Sequence, residues 1–286
     1  MIRALRLARY RDSFGGAGLT QGHAATAAYS PCRAEARLSP RVPTCHRIIL
    51  PVLLAALATV CGAAAAPPSS EQLRYNVNWP SGLSLGEASL SVTKTPAAAD
   101  QPGVIASELT LDASMPGFQV ADRYSSRATT DYCSLRFDKK LRHGSRHADE
   151  AMNFDQQHMT ASRETLTASH EQGTDLGRTD LGVPACAKDA LTFLAFLRNE
   201  LAEGRLPQQQ PVFFGAAYDV RVDFRGAETV KVGDAYVQAD RVNVSVHGPA
   251  SELSFAVFFA RDAGRTPVLF RVPFAMGTFS MELAKP

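Results

Sequence analysis

From Leu73 onward the chain alternates. Leu73, Tyr75, Val77 and Trp79 share one side of a two-residue repeat, and Arg74, Asn76 and Asn78 share the other. This is the pattern of a half-buried strand. Pro80-Ser81-Gly82 supplies a turn. Leu83 and Leu85 resume the alternation, and after a break at Gly86-Glu87 it continues through Ala88, Leu90 and Val92, so this region opens with a hairpin. Ile105, Leu109, Leu111 and Ala113 keep the same period until Met115-Pro116-Gly117 interrupts it. More polar strands are expected around 118–130, 133–141, 147–155 and 159–168.

One segment changes period. Over 186–203, Ala190, Leu194, Leu197 and Leu201 form a helical stripe, which Leu191, Phe193, Ala195 and Phe196 widen to most of the circumference. A helix apolar nearly all round is buried. Asp189 suits its positive end. Gly204 stands where a left-handed cap is wanted, and Pro207 prevents continuation. Strand-like segments then return: Val212 to Gly215, Tyr218 to Phe224, Thr229 to Val232, Ala235 to Val246, Ser251 to Arg261, Pro267 to Val272 and Gly277 to Leu283. Gly226, Gly233, Gly248-Pro249, Asp262-Ala263-Gly264 and Met276-Gly277 punctuate them. This spacing predicts a mainly β fold: a curved antiparallel sheet, barrel or half-barrel, with one buried helix at about 186–203 packed into its concavity. The segments 96–102 and 206–211 read as loops too short to separate domains.

Ahead of the alternating region, residues 48–60 read IILPVLLAALATV, an uncharged apolar run preceded by His46 and Arg47 and followed by CGAAAAP. This is the layout of a secretory signal peptide over 46–65, with cleavage after Ala64 or Ala65. Acylation at Cys61, giving an anchored lipoprotein, is the competing expectation; Ala58 and Val60 fit it poorly. A permanent span would need roughly 20 apolar residues, and Pro51 lies inside this run. Residues 1–45 carry seven Arg, no Lys and two acids without apolar periodicity. They are expected to be a disordered preface or the product of a misassigned start, with translation beginning near Leu38 or Val42. One domain, 66–286, follows.

Removing the leader reverses the charge. The whole chain has 30 basic and 28 acidic residues; residues 1–65 hold eight and two of these, leaving 22 and 26, a net charge of −4. That balance gives no electrostatic case for nucleic acid. Of five cysteines only Cys133 and Cys186 lie beyond Ala65, and two cysteines in an oxidising compartment are expected to pair.

Few residues suggest chemistry. Gly82-Leu83-Ser84-Leu85-Gly86 matches a nucleophile elbow, but the elbow needs a following helix and the residues here alternate. His143 and His147 stand four apart, which would converge on a helix as metal ligands, yet Gly144 and the flanking pattern argue for a hairpin and no third ligand is specified. Asp122-Arg123, Asp240-Arg241 and Arg261-Asp262 place acids beside bases that point to opposite faces. A cluster of Asp122, Asp240, Asp262 and a His in one cleft would favour a hydrolase. Phe193, Phe196, Leu197, Phe214 and Tyr218 line either a pocket or a filled core.

Tyr75-x-Val77-x-Trp79 with Gly82 and Gly86, Asp122-Arg-Tyr124-Ser125, Cys133, Asp189-Ala-Leu-Thr-Phe193, Leu197-Arg198, Glu200-Leu201, Phe214-Gly-Ala216 with Tyr218, Asp262-x-x-Arg265-x-Pro267, Gly277-Thr-Phe279 and Glu282-Leu283 together resemble the bacterial envelope family catalogued as domain of unknown function 3108. The resemblance implies an exported protein with a curved antiparallel sheet and a helix, like the half-barrels of lipoprotein carriers. It implies no activity and no catalytic residues. The expectation is therefore a periplasmic or secreted binding or envelope-maintenance protein without a cofactor, touching the membrane only transiently through its signal peptide. Its ligand would be a lipid-like or other hydrophobic molecule held between helix and sheet. An exported hydrolase and a scaffold that pairs through a sheet edge are the alternatives.

Overall fold

The computed structural model describes residues 69–284 except 116, 170–176, 250 and 276. The expected signal peptide, its cleavage sites Ala64 and Ala65, Cys61 and the basic preface lie outside the described residues. Fifteen strands and one helix follow in chain order: β1 Ser69–Asn78, β2 Ser84–Thr95, β3 Val104–Met115, β4 Phe118–Thr129, β5 Ser134–His143, β6 Arg146–Asp155, β7 Thr160–Ser169, β8 Gly177–Gly182, β9 Lys188–Asp189, α1 Ala190–Ala202, β10 Gln210–Phe213, β11 Ala217–Val232, β12 Ala235–His247, β13 Glu252–Ala260, β14 Pro267–Phe274 and β15 Gly277–Leu283. All fifteen strands make one sheet, ordered β8-β7-β6-β5-β4-β3-β2-β1-β15-β14-β13-β12-β11-β10-β9. Every pairing is antiparallel except β9 with β10. The mainly β expectation is met in its open form: the sheet is curved, with β8 and β9 at its ends, and is not a closed barrel.

Alternation sorts the side chains. Tyr75, Ala88, Leu111 and Asp122 occupy one cross-strand row, and Ser107, Ser126, Phe137 and Met152 lie on the same face. This inner face carries the helix. Phe193, Leu197 and Leu201 pack with Val220, Val222, Val242, Val244, Val257 and Phe259, while Leu191 joins the larger cluster around Tyr75, Phe137, Met152 and Phe213. Burying each of these helix side chains contributes about 1.5–3 kcal/mol. At β13 the opposite face is buried as well: Phe258 has no exposed surface and sits under the guanidinium groups of Arg271 and Arg241, 4.9 and 5.8 Å from its ring centroid. Such cation–π contacts add to the burial.

The helix starts at Ala190, four residues later than its apolar pattern suggests. Lys188 and Asp189 pair in parallel with Val212 and Phe213, and Asp189 caps the first turn, its carboxylate accepting from the Leu191 and Thr192 amides at 2.9 and 3.0 Å. At the other end the Gly204 amide bonds Leu201 O and the Arg205 amide bonds Glu200 O, with Gly204 at φ +72°. This is the Schellman closure that a glycine after the last turn favours. A disulfide joins Cys133, after the β4–β5 turn, to Cys186, just before β9, across 53 residues of sequence. Closing a loop of that length stabilises by about 4 kcal/mol in the chain-entropy model.

Candidate functional site

Under Phe193 and Leu197 the space between α1 and the sheet is filled by side chains, while beside them a cleft of about 280 Å³ stays open between Ala195, Arg198 and Ala202 of α1 and Glu71, Val92 and Lys94 of the sheet. Phe193 and Leu197 are fully buried, and Phe196, Phe214 and Tyr218 are partly buried members of the same clusters. The five aromatic and aliphatic residues that sequence placed in a pocket or core therefore belong to the core.

Polar groups on the inner face are tied to one another. Asp189 has no exposed surface. Its Oδ2 accepts from Ser126 Oγ and Ser134 Oγ, both at 2.6 Å, and from Thr192 Oγ1 at 2.8 Å. Burial pushes its carboxyl above the ordinary range, and these hydroxyls and the Thr192 amide oppose that shift. The Gln156 amide performs a backbone-like task nearby: its Nε2 donates to Ser134 O and Ala187 O, and its Oε1 accepts from the Ala187 amide at 3.0 Å. Further along the face, Glu150 bridges Lys139 Nζ and Arg163 Nη2, each at 2.9 Å. Burial raises the Glu150 carboxyl, but the two cations outweigh it and hold it below the ordinary carboxylate range.

The acids expected to mark a hydrolase do not form one cleft. Asp122 lies on β4, where His143 Nε2 approaches at 3.0 Å and Tyr124 donates its hydroxyl at 3.1 Å. Burial and the Asp122 carboxylate push the Tyr124 phenol above its ordinary range. Asp240 lies on β12, seven strand spacings away in sheet order, and accepts from Arg261 Nε at 2.8 Å and Arg265 Nη1 at 2.7 Å. Asp262 accepts from the Thr266 amide within the β13–β14 turn. His143 and His147 do not converge. His147 pairs opposite Arg142 and His143 opposite Arg146, which puts the two rings on opposite faces of the β5–β6 hairpin. Among the described residues no group of three or more His, Cys, Asp or Glu is arranged to hold a metal ion. Ser84 opens β2 and is followed by strand, so the elbow geometry is not formed.

A wide concavity lies on the outer face, across β2 to β5. It is a trough of about 440 Å³ whose floor is made of small side chains, Ser91, Ala106 and Ser125, and whose walls include Arg127, Arg136 and Asp138. The register explains it: Ser91, Glu108, Ser125 and Asp138 fall in one cross-strand row, and Thr93, Ala106, Arg127 and Arg136 in the next. Arg136 is fixed, with Nε and Nη2 on Asp138 at 2.8 and 2.7 Å and Nη1 on Asn153 at 2.9 Å. Arg127 is exposed and makes no ion pair. Sequence patterning marks these positions only as polar and outward, since small size at adjacent rows becomes a depression only once the register is known.

A family model for proteins of unknown function, DUF3108, matches residues 74–284. The chain belongs to the DUF3108 family. Comparison with curated proteins finds no match, and comparison with solved structures finds none either. The positions that carry the DUF3108 resemblance serve as latches in this fold. Arg198 on α1 holds both Glu71 oxygens at 2.6 and 2.9 Å and Gly264 O at 2.9 Å. Arg265 reaches Asp240, and Pro267 O accepts from the buried Tyr75 hydroxyl at 2.9 Å. The D-x-x-R-x-P pattern thus fixes the β13–β14 turn against β12 and β1.

Proposed function

We propose that this chain is an exported envelope-maintenance protein that works by binding, and that its ligand is a hydroxyl-rich molecule bearing an anionic group, held in the outer trough. The observation that carries the reading is the trough itself: a depression floored by small side chains, two of them serines, with the unpaired guanidinium of Arg127 on its wall beside Arg136, which Asp138 holds. Guanidinium groups suit carboxylate and phosphate, and serine and threonine hydroxyls suit a polyol. The leader pattern supports export, and the Cys133–Cys186 disulfide fits an oxidising compartment. The packing of Phe193, Leu197 and Leu201 against the sheet, and the Arg198–Glu71 ion pair lining the cleft beside α1, favour a polar ligand on the face of the sheet over an acyl chain under the helix. The separate pairing of Asp122, Asp240 and Asp262 supports binding over hydrolysis.

Titration calorimetry with glycerol 3-phosphate and glucose 6-phosphate tests the reading. Saturable heat is expected with at least one of them. Arg127→Glu should weaken it by about tenfold or more, the size of a lost charge-assisted hydrogen bond, and Ser125→Trp should abolish it by filling the floor. No saturable heat with either probe, or equal binding by both variants, would overturn the proposal.

A further inference from the structure

Three hairpin turns meet at one end of the sheet, and none carries a charge. In a chain of which 20% of residues are charged, residues 78–86, 113–121 and 272–281 contain no Asp, Glu, Lys or Arg. These are the β1–β2, β3–β4 and β14–β15 connections with their flanking strand ends. Strand order β4-β3-β2-β1-β15-β14 makes them consecutive along the rim. The β14–β15 and β1–β2 turns touch: a Cβ on Gly277 would come within 2.7 Å of Pro80 Cγ.

Apolar side chains stand out from this rim. Leu83 is 67% exposed and Phe274 56% exposed. Between them Phe279 is buried and supports both neighbours edge-on, with Trp79 4.9 Å away and Phe274 5.2 Å away between ring centroids. Nothing in a folded monomer gains from holding Leu83 and Phe274 in water on a rigid aromatic base, and clustered exposure of this kind marks a contact surface. The next turn along supplies the opposite character. The Gly144 amide bonds Gln119 O, so the β5–β6 turn abuts the β3–β4 connection. Of the cations on its strand ends, Lys139 and Arg142 are held by Glu150 and Asp149, which leaves Lys140 and Arg146 as the exposed ones. Arg146 at the tip is exposed and makes no ion pair.

We propose that this rim docks on the surface of an anionic lipid bilayer, with Trp79, Leu83 and Phe274 entering the headgroup–acyl boundary and the β5–β6 turn lying over the headgroups. An uncharged aromatic and aliphatic tip flanked by cations is the arrangement that partitions into that boundary. The basic flank complements anionic headgroups. Among the described residues no helix is long and apolar enough to cross a membrane, so the contact is by the turns. The rim is separate from the trough, and its contact with lipid outlasts the transient one expected of a signal peptide.

Trp79 is the only tryptophan of the chain and reports directly. The full chain is mixed with vesicles of phosphatidylglycerol and phosphatidylethanolamine in equal parts, and separately with phosphatidylcholine alone, each with brominated acyl chains. On the anionic vesicles Trp79 emission should shift to shorter wavelength and be quenched. Leu83→Asp and Phe274→Asp, at exposed positions that keep the fold, should each weaken partitioning by about tenfold or more. Arg146→Glu should weaken it on anionic vesicles and leave the weaker response to phosphatidylcholine unchanged. Vesicle sedimentation without Trp79 quenching would mean that another part of the chain binds lipid, and would overturn the proposal, as would unchanged emission or equal quenching in the aspartate variants. Calorimetry at the trough is indifferent to all of these results.

Discussion

Asp189 shows how much one buried carboxylate can hold. Its two oxygens take five hydrogen bonds, from two helix amides and from three hydroxyls on β4, α1 and the start of β5. Asp189→Ala removes an N-cap worth about 1 kcal/mol and leaves buried hydroxyls unsatisfied at about 1–3 kcal/mol. A loss of about 3 kcal/mol or more in urea denaturation is expected. Asp189→Asn keeps the cap at Oδ1 and turns an amide NH2, which can only donate, toward hydroxyls, of which Ser134 Oγ already accepts from the Asp189 backbone amide. Its loss should be smaller, about 1–2 kcal/mol. An alanine variant within about 0.5 kcal/mol of wild type, the range of ordinary surface changes, would show that the network carries no weight. Sequence patterning marks Asp189 only as an acid near the positive end of a helix expected from 186, and the cap itself emerges with the later start at Ala190. Ser126 and Ser134 are not legible there, because they lie 63 and 55 residues from Asp189, and nothing in a polar strand pattern names so distant a partner.

Neighbouring strands build a second polar feature that no single strand contains. Lys139 on β5, Glu150 on β6 and Arg163 on β7 form a row of charges across three strands, with the Glu150 side chain 14% exposed. Glu150 titrates below its ordinary value when folded, while an unfolded glutamate titrates near 4.3. Between those two values the unfolded chain binds the extra proton, so the stabilisation is complete above the unfolded value and is lost as pH falls through the folded one. Urea midpoints measured from about pH 6 down to about pH 3 should fall more steeply for wild type than for Glu150→Gln; parallel curves would contradict the argument. The strands that make this row were expected at 133–141, 147–155 and 159–168, close to their observed bounds, because alternation survives even in polar strands. β8 was not foreseen: Gly177-Arg-Thr-Asp-Leu-Gly182 has one apolar residue and forms an edge. The expected gap between Tyr218–Phe224 and Thr229–Val232 is instead a bulge between Phe224 and Gly226 inside one continuous strand. The bulge flips the period without ending the pairing. Periodicity gives the face of each residue but not the register, which is why the His143 and His147 geometry and the outer trough emerge only from the structure.

An open sheet of fifteen strands must deal with its edges. β8 is short and carries Arg178 and Asp180. The other flank is longer. β10 pairs with residues 217–220 of β11, and among the described residues no strand pairs with 221–232 on that side. Unpaired backbone of this length invites a second chain. Three features oppose it: the Gly226 bulge, at φ +118°, and the cations Arg225 and Lys231. Cations on a growing β interface repel their counterparts on a second copy and are costly to desolvate. Replacing Arg225 and Lys231 together with isoleucine should therefore convert the chain to concentration-dependent oligomers in light scattering. The same pair of changes at Arg74 and Lys140, exposed positions on strands paired on both sides, adds equal hydrophobicity without freeing an edge and should not. Equal association by both double variants would assign the effect to surface hydrophobicity. A monomeric Arg225/Lys231 variant would mean that the bulge alone suffices, because it bends the strand away from the straight partner that edge pairing requires.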